Sequence, residues 1–559
     1  MADDAPKTAE HRGSRLPARP DALEQRVADA TALLESIVSD RGVLAHLDEQ
    51  ARTRLLMAAG QAAGPDKRAR RKLARARRRK TQLDTRAADE AVLSATGIRE
   101  KRRADVFETP APALSAAPPR HLPAPPLEMA GGSYGVEAEA GVEAEAATEP
   151  PASRTVNEPR KCYVCKAPFV ELHAFYDAMC ADCAELNWRK RNQTADLRGR
   201  VAIVTGARVK IGYQAAIKLL RAGAHVIVTT RFPRDAATRY AREVDFADWR
   251  ERLTIFGLDL RHTPSVEGFC RHVAKTRDRL DFIINNACQT VRRPPGFYAH
   301  LMQGERKPLA ALPDTERALV REHGVLHGDA STSHAAGREA LDESEASRYL
   351  QRGGIAGLAA WSAELTQVPL LAEDLRGGDA LFPRGALDAD LQQIDRRDIN
   401  SWRLQLAEVP AVELLEVHLV NAVAPFILNA RLKPLMTATP ERDKHIVNVS
   451  AMEGQFYRAF KTDKHPHTNM AKAALNMMTR TSAADYVADG IHMNSVDTGW
   501  VTDEDPIEIA RRKTAEHGFH PPLDIVDGAA RIVDPIFDGF LSGRHVWGLF
   551  LKDYKAVAW

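Results

Sequence analysis

The chain has 559 residues, of which 44% are hydrophobic and 27% charged, and its formal net charge is +3. This length predicts two or more folding units, and the hydrophobic content suffices for a sizeable core. Because no apolar run approaches membrane-spanning length and the first twenty residues carry no apolar segment, we expect neither a membrane span nor a secretory signal, and a cytoplasmic location.

Residues 1–108 are predicted to form a basic helical extension. Apolar residues recur at helical spacing over Ala22–Ala59, which predicts one or two amphipathic helices. Lys67–Lys80 then carries ten basic residues in fourteen positions. This run could bind nucleic-acid phosphates or an acidic partner, and it could equally be a solvated helix surface. No aromatic residue interleaves the run, so base stacking is not expected.

Residues 109–159 have the composition of a linker. They are rich in Pro, Ala and Glu, and the hexapeptide GVEAEA occurs twice in tandem over Gly135–Ala146. Such a composition cannot bury a core, so we predict a disordered connection between folded parts.

Residues 160–196 are predicted to form a small metal-binding module. Its four cysteines form two CxxC pairs separated by fourteen residues: Cys162, Cys165, Cys180 and Cys183. Two such pairs can complete a tetrahedral thiolate site, which favours a structural Zn²⁺. The other two cysteines, Cys270 and Cys288, are isolated, and this distribution suits a reducing compartment better than a disulfide framework.

A strand, a glycine turn and a helix begin near Leu197. Val201–Val204 is a short apolar run, Gly206 and Gly212 lie in the following turn and helix start, and a second apolar run occupies His225–Thr229. This layout rests a dinucleotide pyrophosphate on a helix N-terminus.

Further apolar runs follow in the order of a doubly wound sheet: Leu253–Leu258, Phe282–Ile284, His445–Val449 and Ile491–Val496. The polar motifs after them are Asp259–Leu260, Asn285–Ala287, Ser450 and Asp497–Gly499, and Lys472 is read as opening a helix. Together these segments resemble the short-chain dehydrogenase/reductase family from Leu197 to Trp559. The resemblance implies an α/β fold with a doubly wound parallel sheet.

The resemblance also implies site residues. A nicotinamide cofactor would be held by Thr205, Gly206, Arg208, Lys210, Ile211, Gly212, Arg231, Asp259, Leu260, Asn286, Ala287 and Lys472. Catalysis would use Ser450 to orient the substrate, Lys472 to bind the ribose and Asn421 to hold a proton-relay water. The second strand ends in Arg231 rather than a carboxylate, and an arginine can pair with a 2′-phosphate, which favours NADP(H) over NAD(H).

Two departures from the family pattern bear on function. Lys210 occupies the place of the second glycine in the turn. The catalytic tyrosine of the family stands four residues before the lysine, where this chain has Thr468, whose aliphatic hydroxyl is a far weaker acid than a phenol. We therefore predict that Tyr457 supplies the acid, with His465 or His467 as alternatives.

Residues 289–410 form a large insertion after the fourth strand of the dehydrogenase-like part. An insertion there is expected to cap the substrate pocket or to form a partner surface. The leading hypothesis is an NADP(H)-dependent oxidoreductase for a small carbonyl or alcohol, with oligomerisation left open. The alternative is a catalytically impaired NADP(H)-binding sensor or scaffold that contacts nucleic acid or protein through the N-terminal region.

Overall fold

The computed structural model describes residues 20–112, 154–326, 362–375, 378–457 and 461–559. Most of the predicted linker, 109–159, and part of the insertion lie outside these ranges. The chain divides into two compact units, Met1–Ala87 and Ala88–Trp559.

The first unit is helical, as the sequence predicts. Its helices are α1 (Pro20–Ser39), α2 (Glu49–Ala63) and the first part of α3 (Lys67–Ser94). Asp48 caps α2 by accepting a hydrogen bond from a main-chain N–H of the first turn. Every residue of Lys67–Lys80 is exposed, so the run presents its charge to solvent, and its binding role stays a prediction.

The second unit begins with the cysteine-containing segment. Helix α4 (Gly97–Arg103) precedes an antiparallel pair, β1 (Thr155–Lys161) and β2 (Pro168–Glu171), and helix α5 (Ala181–Asn192) follows. This segment packs on the dehydrogenase-like part through an apolar cluster that includes Tyr176, Met179 and Leu523.

An eight-stranded sheet forms the centre of the second unit. Its order is β10-β9-β8-β7-β6-β3-β4-β5, with only β10 antiparallel to its neighbour. The strands are β3 (Val201–Thr205), β4 (His225–Thr230), β5 (Leu253–Gly257), β6 (Phe282–Asn285), β7 (Lys444–Ser450), β8 (Ile491–Asp497), β9 (Phe550–Lys552) and β10 (Lys555–Val557). The six predicted strands are confirmed to within two residues at each end, and the expected doubly wound parallel sheet is present.

Helices cover both faces of the sheet and bury two separate hydrophobic clusters. They are α6 (Lys210–Arg221), α7 (Pro233–Ala241), α8 (Phe246–Trp249), α9 (Thr263–Thr276), α10 (Pro295–Glu305), α11 (Asp314–Leu319), α12 (Arg321–Leu326), α13 (Ala411–His418), α14 (Ala424–Met436), α15 (Pro466–Ala488), α16 (Ile507–His517) and α17 (Ile525–Ser542). The expectation that Lys472 opens its helix is wrong, because α15 begins at Pro466 and places Lys472 in its second turn.

The helical segment Ala411–Met436 is long and apolar enough to cross a membrane by length and composition alone, which the sequence reading did not anticipate. Leu428 and Leu432 of this segment are fully buried in the core beside the sheet. A core helix passes the same test of length and hydropathy, so the finding is weak evidence for a membrane span.

The described part of the insertion is tied to the fold by buried ion pairs. Arg292 contacts Asp374 at 2.6 Å and Glu416 at 3.0 Å, and all three residues are buried. Since a buried ion pair is costly to break by removing one partner, these contacts fix the insertion to the start of the central helix.

Candidate active site

The glycine turn after β3 requires glycine at two positions. Gly206 has φ +64°, and a Cβ there would lie 2.8 Å from the Cα of Ala287. A Cβ on Gly212 would lie 2.2 Å from Nδ2 of Asn286. The turn can therefore pack against the end of β6 only because both residues lack a side chain.

Hydrogen bonds join the ends of β3 and β6. Asn286 Nδ2 donates to the carbonyl oxygens of Thr205, at 3.0 Å, and Gly206, at 3.2 Å. The main-chain N–H of Ala287 donates to Oγ1 of Thr205 at 3.0 Å. Thr205 is thus a support for the turn, and it does not itself line the cavity beside it.

Lys210 begins α6 in the left-handed region, with φ +56°, the conformation that a glycine would adopt most easily. Its side chain lines the cavity. Burial lowers the pKa of Lys210, but the carboxylates of Glu504 and Asp390 outweigh this effect and raise it. The ammonium is therefore charged at the helix N-terminus, where it suits a pyrophosphate.

Arg231 and Arg208 differ in whether a carboxylate of the protein pairs with their charge. Arg208 is buried and contacts Asp235 at 2.7 Å. Arg231 donates to the hydroxyl of Tyr298 at 2.6 Å and lies 4.6 Å from the centre of its ring. Arg231 has no ion pair with a carboxylate in the part of the chain that the structure describes, so its charge is available to a phosphate.

Asp259 and Leu260 line the same cavity beyond the end of β5. Asp259 is buried and contacts Arg261 at 2.7 Å. Burial raises the pKa of this carboxyl, but Arg261 outweighs the effect, and the net pKa is lowered. The predicted residues Ile211, Gly212, Asn286 and Ala287 also line the cavity.

Ser450 and Lys472 converge on the cavity from different elements. Ser450 ends β7, and its hydroxyl donates to Oδ1 of Asn476 at 2.5 Å. Lys472 Nζ donates to the carbonyl oxygen of Val449 at 2.7 Å. Both side chains are buried to within a few per cent and both line the cavity.

Asn421 lies in a π-helical turn, Leu419–Val423, between α13 and α14. Its side chain exchanges two hydrogen bonds with the main chain of Gln289: it accepts from the N–H at 2.8 Å and donates to the carbonyl at 3.1 Å. Such π-turns are frequent at functional sites. Asn421 nevertheless does not line the cavity in this structure.

The candidate acids are placed differently from one another. Thr468 is buried, and its hydroxyl has no hydrogen-bond partner among the described residues. Tyr457 is 51% exposed, and neither it nor Thr468 lines the cavity. His467 is buried 3.5 Å from Glu413, away from the cavity lining. His465 does line the cavity and stacks on Trp402, with ring centres 3.9 Å apart.

Sequence reasoning missed Tyr163, which the cysteine segment places in the cavity wall. Its hydroxyl accepts a hydrogen bond from the main-chain N–H of Trp500 at 3.0 Å, and Lys552 Nζ lies 6.0 Å from its ring centre. Burial raises the pKa of Tyr163, so the phenol keeps its proton at neutral pH. Its position beside Cys162 was visible in the sequence, but its reach into a distant site was not.

The cavity has a volume of about 1140 Å³ and is walled by three parts of the chain. The sheet and its loops supply most of the wall, the cysteine segment supplies Tyr163 and Lys166, and the insertion supplies residues that include Asp388, Gln392 and Trp402. Residues of the insertion thus line this cavity, and its expected role as a cap on the substrate stays a prediction.

The four clustered cysteines have the geometry of a metal site. Their sulfur atoms all lie within 4.8 Å of one another, and Cys165 Sγ is 3.6 Å from Cys180 Sγ. Four thiolates at this spacing fit a tetrahedral Zn²⁺.

The strand order, the glycine turn and the Ser450–Lys472 pair are typical of dinucleotide-binding dehydrogenases. The short chain dehydrogenase profile matches residues 200–300, and the enoyl-(acyl carrier protein) reductase profile matches residues 400–520, on either side of the insertion. These two segments of the chain, on either side of the insertion, are thus similar to short-chain dehydrogenases and reductases.

Two curated relatives show how far the similarity extends along the chain. Uncharacterized protein R665 of Acanthamoeba polyphaga mimivirus is 29% identical over 413 residues, covering 71% of this chain and 74% of the relative. Dehydrogenase/reductase SDR family member 13 of Bos taurus is 35% identical over 104 residues, covering 18% of this chain and 27% of the relative. The chain thus spans only about a quarter of that dehydrogenase's length.

Among solved structures, the Pseudomonas aeruginosa RhlG/NADP active-site complex is 15% identical. The match covers 64% of this chain and 95% of RhlG, with a TM-score of 0.37.

Proposed function

We propose that the protein is an NADP(H)-dependent oxidoreductase that interconverts a carbonyl compound and its alcohol in this cavity. The observation that carries the proposal is the convergence of Ser450 and Lys472 on a cavity that also contains the glycine turn. Bound NADP(H) would supply the hydride chemistry. Gly206, Gly212 and Lys210 would hold the pyrophosphate, and Arg231 would hold the 2′-phosphate.

The remaining requirement is a proton donor near the substrate. Reduction of a carbonyl leaves an alkoxide that needs a proton, and Ser450 would orient the oxygen that receives it. Tyr163 is a better-placed donor than Tyr457 because it lines the cavity and carries its proton at neutral pH. The charge of Lys552 favours the phenolate that forms on donation, whereas the carboxylates of Asp497, the strand partner of Ser450, and Asp553 oppose it.

Matched tyrosine variants test this assignment. Tyr163→Phe should lower the turnover of carbonyl substrates with NADPH by a factor on the order of 10², with little change in NADPH affinity. Tyr457→Phe removes the same hydroxyl from an exposed position and should leave turnover unchanged. The opposite pattern would assign the acid to the loop after β7, and equal activity of both variants would remove phenolic catalysis from the mechanism.

A second candidate function is an NADP(H)-binding sensor or scaffold without turnover. It is favoured by Thr468, a buried hydroxyl at the position of the family's tyrosine, and by the pairing of Asn421 with Gln289. Tight NADPH binding without oxidation in a broad screen of aldehydes and ketones would select this function over the first.

A further inference from the structure

Three histidines lie close together at the amino-terminal end of strands β7 and β8, at the opposite end of these strands from the cavity. His445 and His492 are each the second residue of neighbouring strands, β7 and β8, and are register partners. Register partners on parallel strands project from the same face of a sheet. His545 follows α17, where Gly543, with φ +70°, ends the helix and turns the chain back over the strands.

The rings have the spacing of ligands around one ion. Their centres are 5.3, 5.1 and 5.0 Å apart, almost an equilateral triangle. The ligand nitrogens of all three lie within 4.8 Å of one another, and His445 Nε2 is 2.9 Å from His545 Nδ1. Three imidazoles that each direct a nitrogen to one ion about 2 Å away place their ring centres about 5 Å apart.

The surroundings of the triad support a ligand. His492 Nδ1 contacts the carbonyl oxygen of Lys444 at 3.1 Å, which fixes this nitrogen as the donor and leaves Nε2 for a ligand. Gly539 of α17 faces the other two rings. A Cβ there would lie 2.5 Å from His545 Nδ1 and 3.3 Å from His445 Nε2, so any other residue would fill the space beside these nitrogens.

We propose that His445, His492 and His545 form a second metal site, which binds one Zn²⁺ through three imidazole nitrogens with water as the fourth ligand. Imidazole ligands select zinc and other late transition metals over Mg²⁺ and Ca²⁺. Ser450 and Asp497 lie five residues further along β7 and β8, so the cavity is about 16 Å away. The ion would therefore fasten the end of α17 to the sheet and take no part in the reaction.

The test is the zinc content of the full-length protein after chelator treatment, reloading with Zn²⁺ and desalting. His545→Ala removes the most exposed ligand, and His225→Ala, at the exposed start of β4 on the same edge of the sheet, is the matched control. The unchanged protein and His225→Ala should retain one zinc equivalent more than His545→Ala. Equal zinc content in all three proteins would overturn the proposal, whatever the cysteine site contains.

A stability measurement gives an independent readout. Added Zn²⁺ should raise the thermal unfolding midpoint of the unchanged protein and of His225→Ala by more than it raises that of His545→Ala. Mg²⁺ should raise none of them. His545→Gln serves in place of His545→Ala if the alanine variant fails to fold. A zinc response that is identical in the His545 variant and its control would contradict the site.

Discussion

At the scale of single residues, Arg208 and Arg231, which both line the cavity, differ in whether a carboxylate of the protein already neutralises their charge. Arg208 is held by Asp235, whereas the guanidinium of Arg231 contacts the ring and hydroxyl of Tyr298 and the ring of Phe232, and it has no carboxylate ion pair among the described residues. A guanidinium without a carboxylate partner can accept a phosphate without first losing an ion pair. We therefore propose that Arg231 determines the choice between NADPH and NADH.

Arg231→Asp should therefore abolish or reverse a preference for NADPH over NADH. The substitution replaces attraction for the 2′-phosphate by repulsion, and a preference of 10-fold corresponds to about 1.4 kcal/mol. Titration of both cofactors at one ionic strength measures the effect. Arg242→Asp makes the same charge change at an exposed residue and should leave the preference intact. Equal affinities in the unchanged protein would show that Arg231 does not read the phosphate.

His465 should make the protein sensitive to acid. Burial lowers the pKa of His465 to about 4, whereas the unfolded chain has the ordinary value of about 6.5. At His465 the native state therefore binds fewer protons than the unfolded chain. The contribution of the neutral imidazole to the free energy of unfolding is complete above pH 6.5 and is lost as the pH falls through 4. Its size is at most about 3 kcal/mol.

The variant His465→Phe keeps an aromatic ring on Trp402 and removes the titration. Its thermal unfolding midpoint, compared with that of the unchanged protein, should improve as the pH is lowered from 7 to 4. His46→Phe, at an exposed histidine, should show no such trend. A constant difference between His465→Phe and the unchanged protein across this range would contradict the burial-driven shift.

At the scale of elements, the cysteine segment is part of the site rather than an appended module. Arg191 of α5 contacts Asp524 at 2.6 Å and Asp527 at 2.9 Å at the start of α17, and all three side chains are buried. The same segment carries Tyr163 into the cavity. A substitution in the cysteine cluster should therefore also change the binding of a nucleotide cofactor in the cavity.

Cys180→Ser should lower both zinc content and NADPH affinity, because loss of one thiolate loosens the segment that forms part of the cavity wall through Tyr163 and Lys166. Elemental analysis and cofactor titration measure the two effects. Cys270→Ser, at a buried cysteine outside the cluster, controls for loss of a thiol and should retain zinc. Loss of zinc with unchanged NADPH affinity would show that the segment is independent of the cavity.

The sequence predicted those elements whose signal is local. Strands such as β3 and β4 are continuous apolar runs, and the glycine turn has a fixed spacing, so both were found. The short strands β9 and β10 have three residues each and no periodic pattern, and they were missed. The early start of α15 was also missed, because the turn before Lys472 has no apolar periodicity. Pro466, which is favoured in the first turn of a helix, was the one local signal for this start.

At the scale of the whole molecule, contacts between segments that are distant in sequence could not be predicted. Ser450 and Lys472 were found because each belongs to a local motif. Tyr163 and the ring triad of His445, His492 and His545 were not found, because their neighbours are brought together only when the whole sheet has folded. Periodicity and spacing predict the secondary structure of each segment, but they do not predict its tertiary contacts.

The wall of the cavity is drawn from both ends of the second unit, from Tyr163 to Lys552. Contacts between residues so far apart in sequence form late, since the entropy of closing a long loop must be overcome first. We therefore expect the cavity to form only near the end of folding. A ligand that binds only the finished pocket then draws the population of chains toward that state, by about 2.7 kcal/mol when its concentration is a hundred times its dissociation constant. The supply of cofactor in the cell would thus help to set how much of this protein is folded at any moment.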